Sequence, residues 1–154
     1  MQKRWKIGGL LLLAVLTVIQ FFQPEKNQGR ESMETDLIAV VSIPDSLAVI
    51  LRKACYDCHS NHTAYPWYNK ISPLSWYIHK HVKEGKADLN LSLFGTLDKA
   101  AKIGALSDIY DVVEAGTMPL QSFLIIHKDA KLSEDEIEAI CNWADQTSLS
   151  VMKE

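Results

Sequence analysis

Two cysteines and a histidine form the most specific chemical pattern in the chain. Cys55, Cys58 and His59 follow one another as C-x-x-C-H. Two thiols three residues apart lie on one helical turn, where each can add to one of the two vinyl groups of a haem, and the imidazole of the next residue can bind the iron. The spacing therefore predicts one covalent haem c, with two thioether bonds and His59 as the proximal ligand.

Two other kinds of site use closely spaced cysteines. A thiol-disulfide oxidoreductase also contains C-x-x-C, but within a strand–helix unit, and no strand pattern precedes Cys55. A structural zinc site needs four ligands, usually in two separated pairs, whereas Cys55, Cys58, His59 and His62 fall within one short stretch. The third cysteine, Cys141, falls on an apolar helical stripe and is predicted to be a core thiol.

A single haem needs a sixth iron ligand on the face opposite His59. Met118, in G-T-M-P at 116–119, is the first candidate, because Pro119 keeps it out of a helix and leaves a loop that can lay the thioether over the iron. His127 is the alternative sixth ligand. Packing in the core is the alternative role for Met118.

Aromatic side chains cluster after the C-x-x-C-H motif. Trp67 and Tyr68 follow Pro66, and Trp76 closes the sequence I-S-P-L-S-W. A haem needs a large apolar wall that excludes water, and Trp or Tyr can also bind a propionate. We therefore predict Trp67, Tyr68 and Trp76 as cofactor-binding residues, although ordinary core packing is equally consistent with the pattern.

Four helices are predicted to position these residues. Leu74, Ile78 and Val82 share one face of the second helix, and Ser133 with Glu136 forms a capping box at the start of the fourth. The predicted helices cover residues 44–56, 72 to near 85, 96–115 and 133 onward. The predicted fold class is all-α.

The first 22 residues predict a membrane segment. Lys3, Arg4 and Lys6 precede an uncharged run at 7–22, and no small-residue cleavage site follows it. An uncleaved anchor is favoured over a removed signal peptide. Both interpretations predict export, either anchored on the periplasmic side of a bacterial inner membrane or as a free periplasmic form.

The chain is predicted to contain one domain with extensions at both ends. The run at 37–43 is rich in apolar residues and could form an extended segment packed on the domain. The predicted divisions are an anchor at 1–22, a flexible tether at 23–43, a haem-binding domain at 44–148 and a tail at 149–154.

Charge narrows the choice of partners. The chain has 16 basic and 19 acidic residues, and the part after residue 22 keeps 13 basic ones. A phosphate backbone requires a basic face, so nucleic-acid binding is excluded. A redox protein with a basic surface would suit the acidic remainder.

The sequence resembles the c-type cytochromes, and more narrowly the bacterial haem-binding domain family of exported single-haem proteins. The resemblance covers about 44–146 and rests on C-Y-D-C-H-S, P-W-Y, I-S-P-L-S-W, M-P-L, H-K-D-A-K-L-S and the closing helix with Trp143. It implies a cytochrome c-like helical domain in which Cys55 and Cys58 attach the haem, His59 is the proximal ligand and Met118 is the distal ligand.

The function expected from these features is single-electron transfer in the periplasm by a membrane-tethered monohaem protein, and not substrate turnover. The alternative is a haem-based sensor or peroxidase-like domain whose sixth ligand is absent or easily displaced. A thiol-disulfide oxidoreductase is the third and weakest hypothesis.

Overall fold

In the computed structural model, which describes residues 2–30 and 34–153, every regular element is a helix. The α-helices are α1 Gln2–Ile19, α2 Leu37–Val40, α3 Asp45–Leu51, α4 Asp57–His59, α5 Leu74–Asp88, α6 Lys99–Glu114, α7 Gln121–Leu124 and α8 Glu134–Lys153. A π-helical turn, Arg52–Tyr56, joins α3 to α4. Short 3-10 turns lie at Trp67–Lys70, Leu91–Thr96 and Lys128–Ala130. The all-α prediction is confirmed for this part of the chain.

The largest helix pair is α6 with α8, and both begin at side-chain caps. The Asp98 carboxylate accepts a 2.8 Å bond from the Ala101 amide at the start of α6. Before α8, the Ser133 amide donates to Glu136 at 2.9 Å and the Glu136 amide donates back to the Ser133 hydroxyl, so the predicted capping box is confirmed. These caps satisfy amides that have no partner within the helix.

The core lies where α6 and α8 meet α2, α3 and the Leu91–Thr96 turn. Its buried members are Leu37, Leu47, Leu51, Tyr56, Leu91, Phe94, Leu106, Ile109, Val113, Ile140, Cys141, Trp143, Ala144 and Val151. Cys141 is therefore a core residue. Since Val151 is also buried and α8 runs to Lys153, residues 149–153 of the predicted tail continue the last helix, and residue 154 lies outside the described residues.

The run at 37–43 is not extended at its start. Leu37–Val40 forms the short helix α2, because the Asp36 carboxylate accepts from the Ile38 amide at 3.0 Å and caps it. The same carboxylate accepts a 2.7 Å bond from the buried Tyr56 hydroxyl. The extended-segment prediction was wrong there because this cap outweighs the β-branched character of the run.

The predicted N-terminal membrane segment is not supported. Within the described residues, no helix combines the length and the apolar character needed to cross a bilayer. Helix α1 ends at Ile19, not at Phe22, and its first turns contain Arg4 and Lys6. Its uncharged part therefore spans about 20 Å, against a hydrocarbon core of about 30 Å. The membrane segment and the anchored location inferred from it were wrong for this reason.

The chain after α1 turns back onto the helical domain. The Gln20 side-chain amide pairs with the Ser72 backbone, donating to the carbonyl at 3.0 Å and accepting from the amide at 2.9 Å. Further on, Asn27 bonds to the Ser60 carbonyl and the Thr63 hydroxyl. The described part of the stretch that we predicted as a tether thus has specific contacts with the domain.

Candidate functional site

The C-x-x-C-H motif lies where a π-helical turn passes into a last α-helical turn. Cys55 lies in the turn Arg52–Tyr56, whereas Cys58 and His59 lie in α4. The predicted helix at 44–56 is therefore not a uniform α-helix. Short π-helical insertions inside α-helices are frequent at functional sites.

The His59 ring is held by a backbone carbonyl. Its Nδ1 lies 3.1 Å from the Leu89 oxygen, just after α5 ends. Because a carbonyl oxygen only accepts, Nδ1 carries the hydrogen of this bond. The lone pair of Nε2 is then available to a metal, which is the arrangement usually found for metal-binding histidines.

Helix α5 packs directly against the motif. At Gly85, a Cβ atom would lie 3.0 Å from the Cys58 carbonyl oxygen and 3.4 Å from the Cys58 Cβ. The sequence placed Gly85 near the end of a helix, but α5 continues to Asp88 and Gly85 is buried within it. The missing side chain is what allows α5 to approach the motif this closely.

An apolar groove lies beside Cys58. Its empty space measures about 660 Å³, including the part open to solvent. One wall is the α5 face whose common line was predicted, Leu74, Ile78 and Val82. The other wall comes from residues 120–127. We call this space the Cys58 groove.

A tyrosine and a histidine meet in the wall of the Cys58 groove. Tyr68 Oη and His127 Nε2 form a 2.7 Å hydrogen bond, although 59 positions separate them. The His127 ring also stacks on Phe123 with centroids 4.2 Å apart and planes 9° apart. Burial raises the pKa of Tyr68, so this phenol stays protonated at neutral pH. No sequence pattern predicted that Tyr68 and His127 would be hydrogen-bonded.

The other predicted site residues differ in whether they lie at the Cys58 groove. Met118 is half-buried but is not among the residues that line the Cys58 groove. Trp67 is 75% exposed, and Trp76 donates its indole N–H to the Phe22 carbonyl. Of the three predicted aromatic residues, only Tyr68 lines the groove. Phe123, which lines the groove and stacks on His127, was not predicted from the sequence.

The thiols of Cys55 and Cys58 are both protonated at neutral pH. Burial raises the pKa of Cys55 to about 12, and the neighbouring Cys58 adds to the shift. Burial, with the Asp57 carboxylate, raises the pKa of Cys58 to about 11. Redox-active C-x-x-C cysteines depend on a lowered thiol pKa, so these values disfavour the oxidoreductase hypothesis.

The donor atoms do not suit a structural zinc ion. In the part of the chain that the structure describes, no three His, Cys, Asp or Glu side chains are grouped so that they could hold a metal ion. A haem is different, because its own nitrogens supply four of the iron ligands. The protein then contributes one or two axial donors and an apolar surface. His59 supplies an axial donor and the Cys58 groove supplies an apolar surface, so these residue types fit the group, although neither His59 nor Cys55 is among the residues that line the groove.

Comparison with known proteins agrees with this chemistry. The family model described as "Haem-binding domain" matches residues 14–146. Neither the search of curated proteins nor the search of solved structures gave a match.

Proposed function

The chain belongs to the haem-binding domain family, and from this premise we propose that it attaches one haem covalently and uses it to transfer single electrons. Haem binding follows from membership of the family, whose model matches residues 14–146. The covalent linkage, the single haem and the redox role are the proposal. The observation that carries it is the C-x-x-C-H motif beside an apolar groove, with its histidine already oriented through Leu89.

Cys55 and Cys58 would hold the haem through two thioether bonds. Cys58 lines the Cys58 groove, and Cys55 precedes it by one short turn. Each thiol can add to a vinyl group without an oxidant, and neither is committed to a disulfide. Of the two reduced sulfurs, that of Cys58 therefore lies at the apolar groove, and Cys55 is three residues before it.

His59 would be the proximal ligand. The Leu89 carbonyl keeps the hydrogen on Nδ1 and strengthens the donor character of Nε2. Leu89 is itself placed by its amide, which donates to the Gly85 carbonyl at 2.9 Å and closes α5. When bound, the haem supplies an iron centre that gains and loses one electron.

For the sixth position, we favour His127 over Met118. His127 lies in the wall of the groove that contains Cys58, whereas Met118 does not line that groove. One observation supports the alternative function: the His127 Nε2 is already bonded to Tyr68. A ligand with such a competing partner would be displaced easily, as a sensor or a peroxidase-like domain requires.

The attachment is tested by the mass of the protein after expression with a haem-attachment system. We expect the full chain to gain the mass of one haem, and the gain to disappear in Cys55→Ser/Cys58→Ser. Cys141→Ser is the matched control, because Cys141 lies in the core on α8 and should not affect attachment. A wild-type mass equal to that of the polypeptide would refute the proposal.

The axial ligand is tested by absorption spectra of Met118→Ala, His127→Ala and Tyr68→Phe. Loss of the low-spin spectrum in His127→Ala alone supports our assignment, and loss in Met118→Ala alone supports the methionine. Carbon monoxide binding by the wild type, made weaker in Tyr68→Phe, would favour the displaceable-ligand function. Spectra unchanged in all three variants would rule out both candidate ligands.

The redox partner also remains a proposal. The chain carries a formal charge of −3 at pH 7, so a partner with a basic surface would be attracted over long range. Association that slows as salt rises is the expected behaviour.

A further inference from the structure

A second groove beside α5 points to a separate ligand. We propose that it binds a small anion that carries a phosphate group. It is lined by Glu25, Lys26, Asn27, His79, Lys83 and Lys86, and we call it the lysine groove. Its empty space measures about 530 Å³, including the part open to solvent. The proposal goes beyond haem binding and does not depend on it.

The lysine groove concentrates positive charge in an acidic protein. Lys26, Lys83 and Lys86 contribute three charges and Glu25 removes one, which leaves a net charge of +2 against −3 for the whole chain. A phosphate group carries about −1.5 to −2 at pH 7, so it would balance this charge more closely than a single carboxylate. His79 adds a further hydrogen-bond donor.

These lysines lack acidic partners. In the described ranges, the ion pairs are those of Lys53 with Glu136 and of Lys80 with Glu84. None of the three groove lysines takes part in such a pair. Glu25 offsets only one of the three lysine charges, so the cations in the groove still repel one another, and a bound anion would reduce that repulsion.

One of the lysines is held in place. The Lys86 Nζ donates to the Asn27 side-chain oxygen at 2.7 Å. Asn27 is fixed in turn, because its amide nitrogen donates to the Ser60 carbonyl and the Thr63 hydroxyl, both at 2.9 Å, and its backbone amide donates to the Tyr65 hydroxyl. A donor with little freedom to lose binds an oxyanion at a lower entropic cost.

The two grooves share one residue. Val82 lines both of them, and Thr63, which bonds to Asn27, lines the Cys58 groove. An anion in the lysine groove would therefore lie beside the haem-binding site without occupying it. Residues 25–27, which were predicted to belong to a tether, supply three of the seven residues that line this groove.

The test is calorimetric titration of the full-length, haem-loaded protein with inorganic phosphate, with chloride keeping the ionic strength constant. We expect saturable binding of one phosphate and amide shifts at residues 25–27 and 79–86 in NMR spectra. In Lys83→Gln, the affinity should fall about tenfold, since one charge-assisted bond is lost. Lys83 has no ion pair in the described structure, so this variant is expected to fold.

Lys80→Gln is the matched control. It removes the same charge three residues away on the same helix, but Lys80 does not line the groove and pairs with Glu84. Phosphate affinity should stay within about twofold of the wild type in this variant. Equal losses in Lys80→Gln and Lys83→Gln would show a general charge effect and overturn the proposal, as would the absence of saturable binding. Haem content is measured separately by mass, so failure here is distinguishable from failure of the haem assignment.

Discussion

The close approach of α5 to the haem-binding motif can be tested with one added methyl group. In Gly85→Ala, the new Cβ would lie 3.0 Å from the Cys58 carbonyl oxygen, closer than an ordinary van der Waals contact. The obstacle is backbone, which cannot rotate away. Helix α5 must therefore shift from the C-x-x-C-H motif by a few tenths of an ångström. A second helical glycine, Gly104 in α6, has no atom within 4 Å of the same position and serves as the control.

The two substitutions should have opposite effects on stability. Alanine in a helix interior is favoured over glycine by about 1 kcal/mol, so Gly104→Ala should raise the free energy of unfolding by about that amount. Overpacking costs about 1–3 kcal/mol, so Gly85→Ala should range from neutral to about 2 kcal/mol less stable. The expected difference between the variants is therefore about 1–3 kcal/mol.

Denaturant unfolding followed by circular dichroism measures this difference, and mass spectrometry of the same samples measures haem attachment. The melting temperature should change by about 2–4 °C for each kcal/mol in a chain of this size. Attachment should fall in Gly85→Ala and remain complete in Gly104→Ala. If Gly85→Ala is stabilised as much as Gly104→Ala, the contact between α5 and Cys58 is not tight and our account of Gly85 is wrong.

Three further predictions concern buried or paired groups. Tyr56→Phe should lower the free energy of unfolding by about 1–3 kcal/mol, because the buried Asp36 carboxylate loses a 2.7 Å bond; an unchanged denaturation midpoint would contradict this. The Lys53 ammonium lowers the pKa of Glu136 below its ordinary value of 4.5. The ion pair therefore stabilises the folded protein at pH values above 4.5, and this contribution is lost as the pH falls through the lowered pKa. Glu136→Gln should therefore cost about 1 kcal/mol at pH 7 and less at pH 3 in denaturant unfolding, and an equal cost at both pH values would refute the assignment. In the haem-free protein, alkylation of Cys58 should accelerate up to pH 11, since burial raises its pKa to about 11; mass spectrometry measures the rate, and a plateau near pH 9 would disagree.

Local patterns in the sequence were sufficient for several elements. The capping box at Ser133 and Glu136 forms as predicted, because both partners lie within one helical turn. The apolar line of Leu74, Ile78 and Val82 also predicted a common face of α5, since helical periodicity alone places them together. The C-x-x-C-H motif could also be recognised from the sequence alone, because its chemistry depends on the spacing of residues within one turn.

The N-terminus shows where such patterns failed. Hydropathy treated residues 7–22 as one uncharged segment, but the helix ends at Ile19. Gln20 then pairs with the backbone of Ser72, far along the chain. A hydropathy pattern records only the residues within its own segment, so it contains no information about a partner elsewhere in the chain.

The sequence by itself determined the C-x-x-C-H spacing, the all-α class and the main helical faces, because each depends on residues a few positions apart. Tertiary structure alone decided that Tyr68 meets His127, that Gly85 lies against Cys58 and that three lysines share a groove. These contacts join distant positions, and they form only when the packing of the helices fixes the path of the whole chain. Their geometry is a property of the packed core, which no local spacing encodes.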